Sequence, residues 1–296
     1  MLNDFIESFR ELDPLLIESV LAGYSVIFES NDSYRFGILR EIVNQLSGPM
    51  KSALDYAMYT AKRNVGRFDS FGDPATPEFR TFANKKDGKL IGYTSMGSGE
   101  TTATPIEIDD DIMSHINVNH ITLEDSRPDR GGSYNKGKIE IHTTPSASDY
   151  IHRILSGEEF DESRWASISR KALSHMQSML LHELVHAWDS TRFDLKRGKK
   201  VSIDSKKDYH RTPTEVNAHL MQKLNQYLGD THSFDSFIRM PDVYDLLSNY
   251  TPSQRKRVLK RIHSIWDAHS SEEESISSSQ VDERKRKGIE RPLSHI

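Results

Sequence analysis

The chain contains no cysteine, which excludes disulfides and thiolate metal ligands together. Any metal it binds must be held by His, Asp or Glu. Long apolar runs are missing as well: no stretch approaches the roughly 20 apolar residues that a membrane-spanning helix requires. There is no basic excess, since 39 Lys and Arg stand against 44 Asp and Glu for a formal net charge of -5. That balance gives no global attraction to nucleic acid or to anionic membranes. Met1 to Asp13 lack the basic start and apolar segment of a secretory signal, so the expectation is a soluble, cytoplasmic product as synthesised.

What is present is enough for a folded protein. The 296 residues, 35% hydrophobic and 28% charged, suffice for one large domain or two modest ones under a very polar surface. Residues 1–80 read as a helical region. Ile6, Phe9 and Leu12, then Leu15, Leu16 and Val20, then Ile38, Leu39, Ile42, Val43 and Leu46 recur at helical spacing. Leu54, Tyr56, Ala57 and Ala61 continue the pattern to Gly66, and a Gly, Pro, Asp and Ser cluster marks a loop from Phe68 to Pro77.

Residues 85–145 favour short strands instead: Leu90–Met96, Pro105–Ile108 and Ile116–Leu123. Gly131-Gly132 reads as a turn. Asn135-Lys136-Gly137 reads as the turn of a hairpin whose second strand is the alternating Lys138-Ile139-Glu140-Ile141-His142, ended by Pro145. A long helix follows over 163–190 with Ser163 as candidate cap, then a basic polar loop over Lys196–Asp208. Thr212-Pro213-Thr214-Glu215 starts a helix to about Leu228. Thr251-Pro252 opens another whose Val258, Leu259, Ile262, Ile265 and Trp266 form one apolar face. Residues 81–269 are thus expected to form one α+β domain, with strands over 85–145 and helices over 163–269. Residues 270–296, rich in Ser, Glu, Lys and Arg, read as a disordered polar tail.

The chemistry concentrates at His182-Glu183-Leu184-Val185-His186, an HExxH motif. On a helix the two histidines stand at i and i+4, so their imidazoles project from one face and can share a tetrahedral ion. Glu183 lies about 100° round the helix, within reach of a water at an open metal position. Met179, Leu180, Leu181, Leu184, Val185, Ala187 and Trp188 surround the motif with uncharged side chains, so its polar groups are costly to bury unless something compensates them.

A third ligand is required. The position used by metzincins, six residues after the second histidine, is Arg192, which excludes that subclass. Glu215 on the later helix is the leading candidate, with Ala218 one turn on leaving room for a helix to approach. The same Glu215 also forms a capping box with Thr212, and His219 and His210 are further candidate ligands.

His182-Glu183-x-x-His186-x-x-Asp189, followed by Tyr209-x-Arg211-Thr212-x-x-Glu215-x-x-Ala218, resembles the catalytic core of lethal-factor-type gluzincins and of phage-borne HExxH metallopeptidases. The resemblance covers Gly131 to Leu228. It implies a zincin-like fold: a small mixed sheet over the HExxH helix, beside the N-terminal helical region. It implies Zn2+ held by His182, His186 and Glu215, with the fourth position left to a water that Glu183 activates as general base for peptide hydrolysis. Tyr209 is implied as a donor to the oxyanion. Tyr209 stands slightly closer to Glu215 than in the toxin pattern, and His219 stands where the thermolysin-like pattern has an Asp.

Asp189 is expected to accept a ring N–H from a ligand histidine, or else to be a surface acid at the helix end. His142 falls on the polar side of the strand preceding the active helix, where zincins lay out extended substrates, and reads first as a solvated strand residue and only second as a substrate-facing one. The cluster Arg255, Lys256, Arg257, Lys260 and Arg261 reads as the wet face of a helix rather than a nucleic-acid site. The expected partner is a peptide or protein substrate, with neither nucleic acid nor membrane. Two other readings stand beside this one: a virion-associated or structural protein with a vestigial zincin domain, assembling through residues 1–80 or the tail, and a zinc amidase of cell-wall cross-links.

Overall fold

The structure is a computed structural model, and it describes residues 14–67, 76–95, 101–108, 113, 116–126, 131–192, 213–228 and 233–288, without the side chains of 14–31, 95, 190–192, 213–214 and 271–288. Most of the 68–77 loop, the basic loop over 196–208, and Tyr209, His210 and Thr212 lie outside the described residues. Among the described residues the architecture is mixed α+β, with one six-stranded sheet and seven helices. No described helix is long and apolar enough to cross a membrane. The chain divides into two compact units, one of residues 38–226 and one of residues 1–37 with 227–296.

The first unit contains the sheet. Helix α1 (Pro14–Arg63) is a single 50-residue helix with Pro49 inside it. Its part in this unit buries Leu39, Ile42, Leu46, Met50, Leu54, Ala57 and Ala61, a stripe repeating at three- and four-residue steps. Proline breaks a backbone hydrogen bond within a helix. Pro49 nevertheless packs under the sheet, because Gly92 has no side chain where a Cβ would meet Pro49 Cγ at 2.7 Å.

Strands β1 (Thr81–Lys86), β2 (Lys89–Ser95), β3 (Thr101–Pro105), β4 (His120–Glu124), β5 (Gly132–Asn135) and β6 (Lys138–His142) are arranged in the order β3-β2-β1-β4-β6-β5. Only the β4–β6 pair is parallel. Two tight hairpins organise it. Lys86 pairs with Lys89 across Asp87 (φ 51°) and Gly88 (φ 83°), and Asn135 pairs with Lys138 across Lys136 (φ 47°) and Gly137 (φ 88°). Positive φ at both central residues is the twist-matching two-residue turn.

The second hairpin falls where the sequence places it, whereas β1 was not expected at all. β3 ends at Pro105 instead of beginning there, although Ile106 N still donates to Leu90 O at 2.8 Å. β4 starts at His120, later than expected. Ile116 and Val118 are buried outside the ladder.

Helix α2 (Pro145–Leu155) is capped by Thr144, whose side chain accepts from Ala147 N. Helix α3 (Glu162–Arg192) packs against β5 and β6. Its cap is not Ser163. Asp161 accepts from Arg164 N at 3.0 Å and from Ser163 Oγ at 2.9 Å, because a carboxylate outside the first turn satisfies the exposed N–H groups that a serine within it cannot. Helix α4 (Pro213–Tyr227) buries Val216, Ala218, Leu220 and Leu224.

The second unit holds α5 (Phe234–Ile238), α6 (Pro241–Ser248) and α7 (Pro252–Gly288), with the first part of α1. Phe237, Ile262, Ile265 and Trp266 are buried there, while Val258 and Leu259 are half-buried. The polar segment expected from residue 270 continues α7 in its backbone as far as Gly288. Residues 289–296 lie outside the described residues.

Candidate metal centre

The site is built on the middle of α3. Leu180, Leu181, Leu184, Val185 and Ala187 are almost wholly buried, and this carries His182 and Glu183 inward with them, each 4% exposed. The sheet comes close because β5 starts with glycine. A Cβ on Gly132 would lie 3.0 Å from Glu183 Oε1 and 3.1 Å from Glu140 O, and one on Gly131 would lie 2.8 Å from Met179 Sδ. The Gly131-Gly132 pair is therefore not a turn before the hairpin. Gly132 is a strand residue, and its missing side chain is what lets the edge strand lie on Glu183.

Helix α4 brings the remaining groups. Gln226 Nε2 donates to Ser178 Oγ at 2.7 Å and Gln222 Nε2 to Met179 Sδ at 3.4 Å, which ties α4 alongside α3. Glu215 is thereby buried at 3% exposure, with Oε1 3.1 Å from His186 Nε2 and Oε2 3.4 Å from His182 Nε2. The two Nε2 atoms are 3.1 Å apart. At most one proton can lie between two imidazole nitrogens that face each other, and a bound cation is another way to satisfy the grouping. Donor atoms about 2.0–2.1 Å from a tetrahedral zinc stand roughly 3.3 Å from one another, which is the spacing found here. The donor set of two imidazoles and a carboxylate fits zinc, and neither residue type needs a thiolate partner.

His219, one turn after Glu215, joins the same cluster. Its Nε2 is 3.9 Å from Glu215 Oε2, its ring centroid is 4.4 Å from that of His182, and the ligand atoms of His182, Glu215 and His219 all lie within 4.8 Å of one another. Buried carboxylates crowd the centre. Burial pushes the Glu183 carboxyl up from the usual range, with Glu215 adding to the rise and His182 and His186 opposing it. For His186, burial works to lower the pKa but is outweighed by the hydrogen bond and charge of Glu215, then by Glu183 and Asp189, so the ring is held above its ordinary value.

His182, Glu183, His186 and Glu215 thus converge. Asp189 is buried at 7% exposure and is not a surface acid, and its charge acts on His186. It does not serve His182, whose buried Nδ1 has no hydrogen-bond partner. Tyr209, His210 and the Thr212 side of the capping box lie outside the described residues. His142 is only 1% exposed, with Nδ1 donating to Asp125 O at 2.8 Å. The expectation of a solvated residue on the polar side of β6 is therefore wrong: His142 is buried, and the segment after β4 supplies its hydrogen-bond partner. Gly132 reads as a turn residue from sequence and Gln222 carries no role there. A Gly pair beside an expected strand, and a polar residue three after a candidate ligand, were the available signals.

No protein-family model matches this chain, and neither a curated protein nor a solved structure matches it.

Proposed function

We propose that the protein is a zinc-dependent metallopeptidase of the gluzincin type, with its α+β unit a zincin-like domain. The observation that carries this reading is the convergence of His182 Nε2, His186 Nε2 and the Glu215 carboxylate at 3.1–3.4 Å, beside a buried Glu183. A purely structural zinc site has no use for such a carboxylate, and this favours hydrolysis over the structural alternative. When bound by His182, His186 and Glu215, zinc supplies a Lewis acid that makes water acidic near neutral pH and polarises a carbonyl.

The chain's own groups do the rest. The Glu183 carboxylate takes a proton from the attacking water at one oxygen and returns it to the leaving amine. Its burial raises its basicity toward that task. β5 is the edge strand of the sheet, beside Glu183, so an extended peptide can pair along it and present its carbonyl to the site. The Asp189 charge adds to those of Glu215 and Glu183 in favouring the charged form of His186.

The test is metal analysis of the purified protein together with a peptide-library cleavage assay. The expected results are about one zinc per chain and cleavage that falls at least ~100-fold in Glu183→Gln, the usual scale for a general base. Protein without stoichiometric metal, or a Glu183→Gln variant that cleaves normally, would overturn the proposal.

A further inference from the structure

We infer that His219 is a fourth protein ligand of the same metal, binding through Nε2 and closing the resting site until the ring is displaced. The inference rests on the zinc reading above. It begins at Met179. A thioether sulfur can only accept, so the Gln222 group 3.4 Å from Met179 Sδ is its NH2, and the amide oxygen faces the other way. That oxygen stands 3.2 Å from His219 Nδ1. A carbonyl oxygen carries no proton, so Nδ1–H is the donor, and the neutral ring keeps its lone pair at Nε2. Nε2 is the atom turned to the cluster, 3.9 Å from Glu215 Oε2.

Metal-ligating histidines are held in this way, with the distal N–H anchored to an oxygen and the other nitrogen presented to the ion. The alternative role for His219, as hydrogen-bond acceptor for His182, does not hold here, because His182 Nδ1 has no hydrogen-bond partner. His219 Nε2 stands 3.9 Å from Glu215 Oε2, and the ligand atoms of His182, Glu215 and His219 span up to 4.8 Å, so the His219 ring must move inward by an ångström or more to reach the roughly 3.3 Å ligand spacing of tetrahedral zinc. The His219 side chain is 31% exposed, against 5% for His182 and 4% for Glu215. It is the most exposed of the four donors, with His186 next at 16%. With His219 bound, four protein donors would fill a tetrahedral zinc and leave no position for water. The resting site would then be closed, and a substrate would have to displace His219 before the cleavage proposed above could begin.

Cobalt(II) substituted into the full chain reads this out without any activity. Each coordinated histidine contributes one hyperfine-shifted ring N–H proton resonance. The wild type should show three, from His182, His186 and His219, and His219→Ala should show two. Titration with 2-mercaptoethanol should produce a sulfur-to-cobalt absorption band in His219→Ala at about tenfold lower thiol concentration than in the wild type, within the range expected when a metal's surrounding groups are altered. Circular dichroism checks that the variant is folded. Two ring N–H resonances in the wild type, or equal thiol binding by both proteins, overturns the fourth-ligand assignment and leaves the zinc reading intact. Failure of the wild type to take up stoichiometric cobalt or zinc overturns the zinc reading itself.

Discussion

Glu183 bears on stability as well as on the chemistry proposed for it. Burial raises its carboxyl pKa above the unfolded value, so the folded, metal-free protein binds the proton more tightly than the unfolded chain does. Stability therefore falls as pH rises through that interval. Replacing the carboxylate by a neutral amide removes the penalty. The Glu183→Gln protein, stripped of metal, should melt at a higher temperature than wild type at neutral pH, and the gain should shrink toward acid pH as the wild-type carboxyl protonates. Thermal melts from acid to neutral pH check this, and an equal or lower melting temperature at neutral pH would show that the charge is already compensated. Gly132 bears on the same carboxylate from the strand side. In Gly132→Ala the new Cβ would stand 3.0 Å from Glu183 Oε1 and 3.1 Å from the Glu140 backbone. The mobile carboxylate yields before the strand does. We expect zinc content to be kept and turnover to fall about tenfold, the scale of a sub-ångström displacement of a catalytic group. Unchanged turnover would mean that Glu183 has a second productive position.

At the scale of elements, legibility followed periodicity. The α3 and α4 helices were readable from their apolar spacing and the HExxH motif, although the cap of α3 is Asp161 and not Ser163. The β5–β6 hairpin was readable from its turn and alternation. β1 was not, although Asp87-Gly88 is a strong hairpin signal, because Thr81-Phe82-Ala83-Asn84-Lys85-Lys86 does not alternate in polarity. Gly132 and His142 were misread for a tertiary reason: sequence shows which face a residue occupies, not what comes to lie against that face. The joint between β4 and α2 shows the same dependence. Asp125 accepts from Ser148 Oγ and lies 2.8 Å from His152 Nε2. Partial burial works to raise its pKa, but the bonds from Ser148, His152 and Ser126 outweigh it and hold the carboxyl low. A depressed carboxylate stabilises the fold above its unfolded pKa, and that stabilisation is lost as pH falls through the folded value. Asp125→Asn should accordingly lose less melting temperature than wild type on acidification through and below the carboxylate range. Because the pair is over a third exposed, the difference should not exceed about 2–4 °C. Parallel pH–melting curves would refute the assignment.

For the whole molecule, the decisive fact is that every residue of the candidate centre belongs to the unit of residues 38–226. The chain's division therefore turns metal binding into a local property. A ligand that binds only the folded state stabilises it by about 2.7 kcal/mol at a hundredfold excess over its Kd, or about 5–10 °C for a unit of this size. If zinc is held as proposed, removing it with a chelator should lower the melting temperature of this unit by that order and speed hydrogen exchange in α3, α4 and β5, the elements that carry or touch the proposed ligands. The amides of α5, α6 and residues 252–269, which share their unit with none of the ligands, should exchange at the same rate with and without metal. The comparison separates a resident metal from a bystander. If chelation leaves α3 and α4 unchanged, no metal is held at His182, His186 and Glu215. If both units lose protection together, they unfold as one and the division has no energetic meaning. Loss confined to α3, α4 and β5 is the outcome that the buried, converging donors require, since without the ion their mutual desolvation is uncompensated.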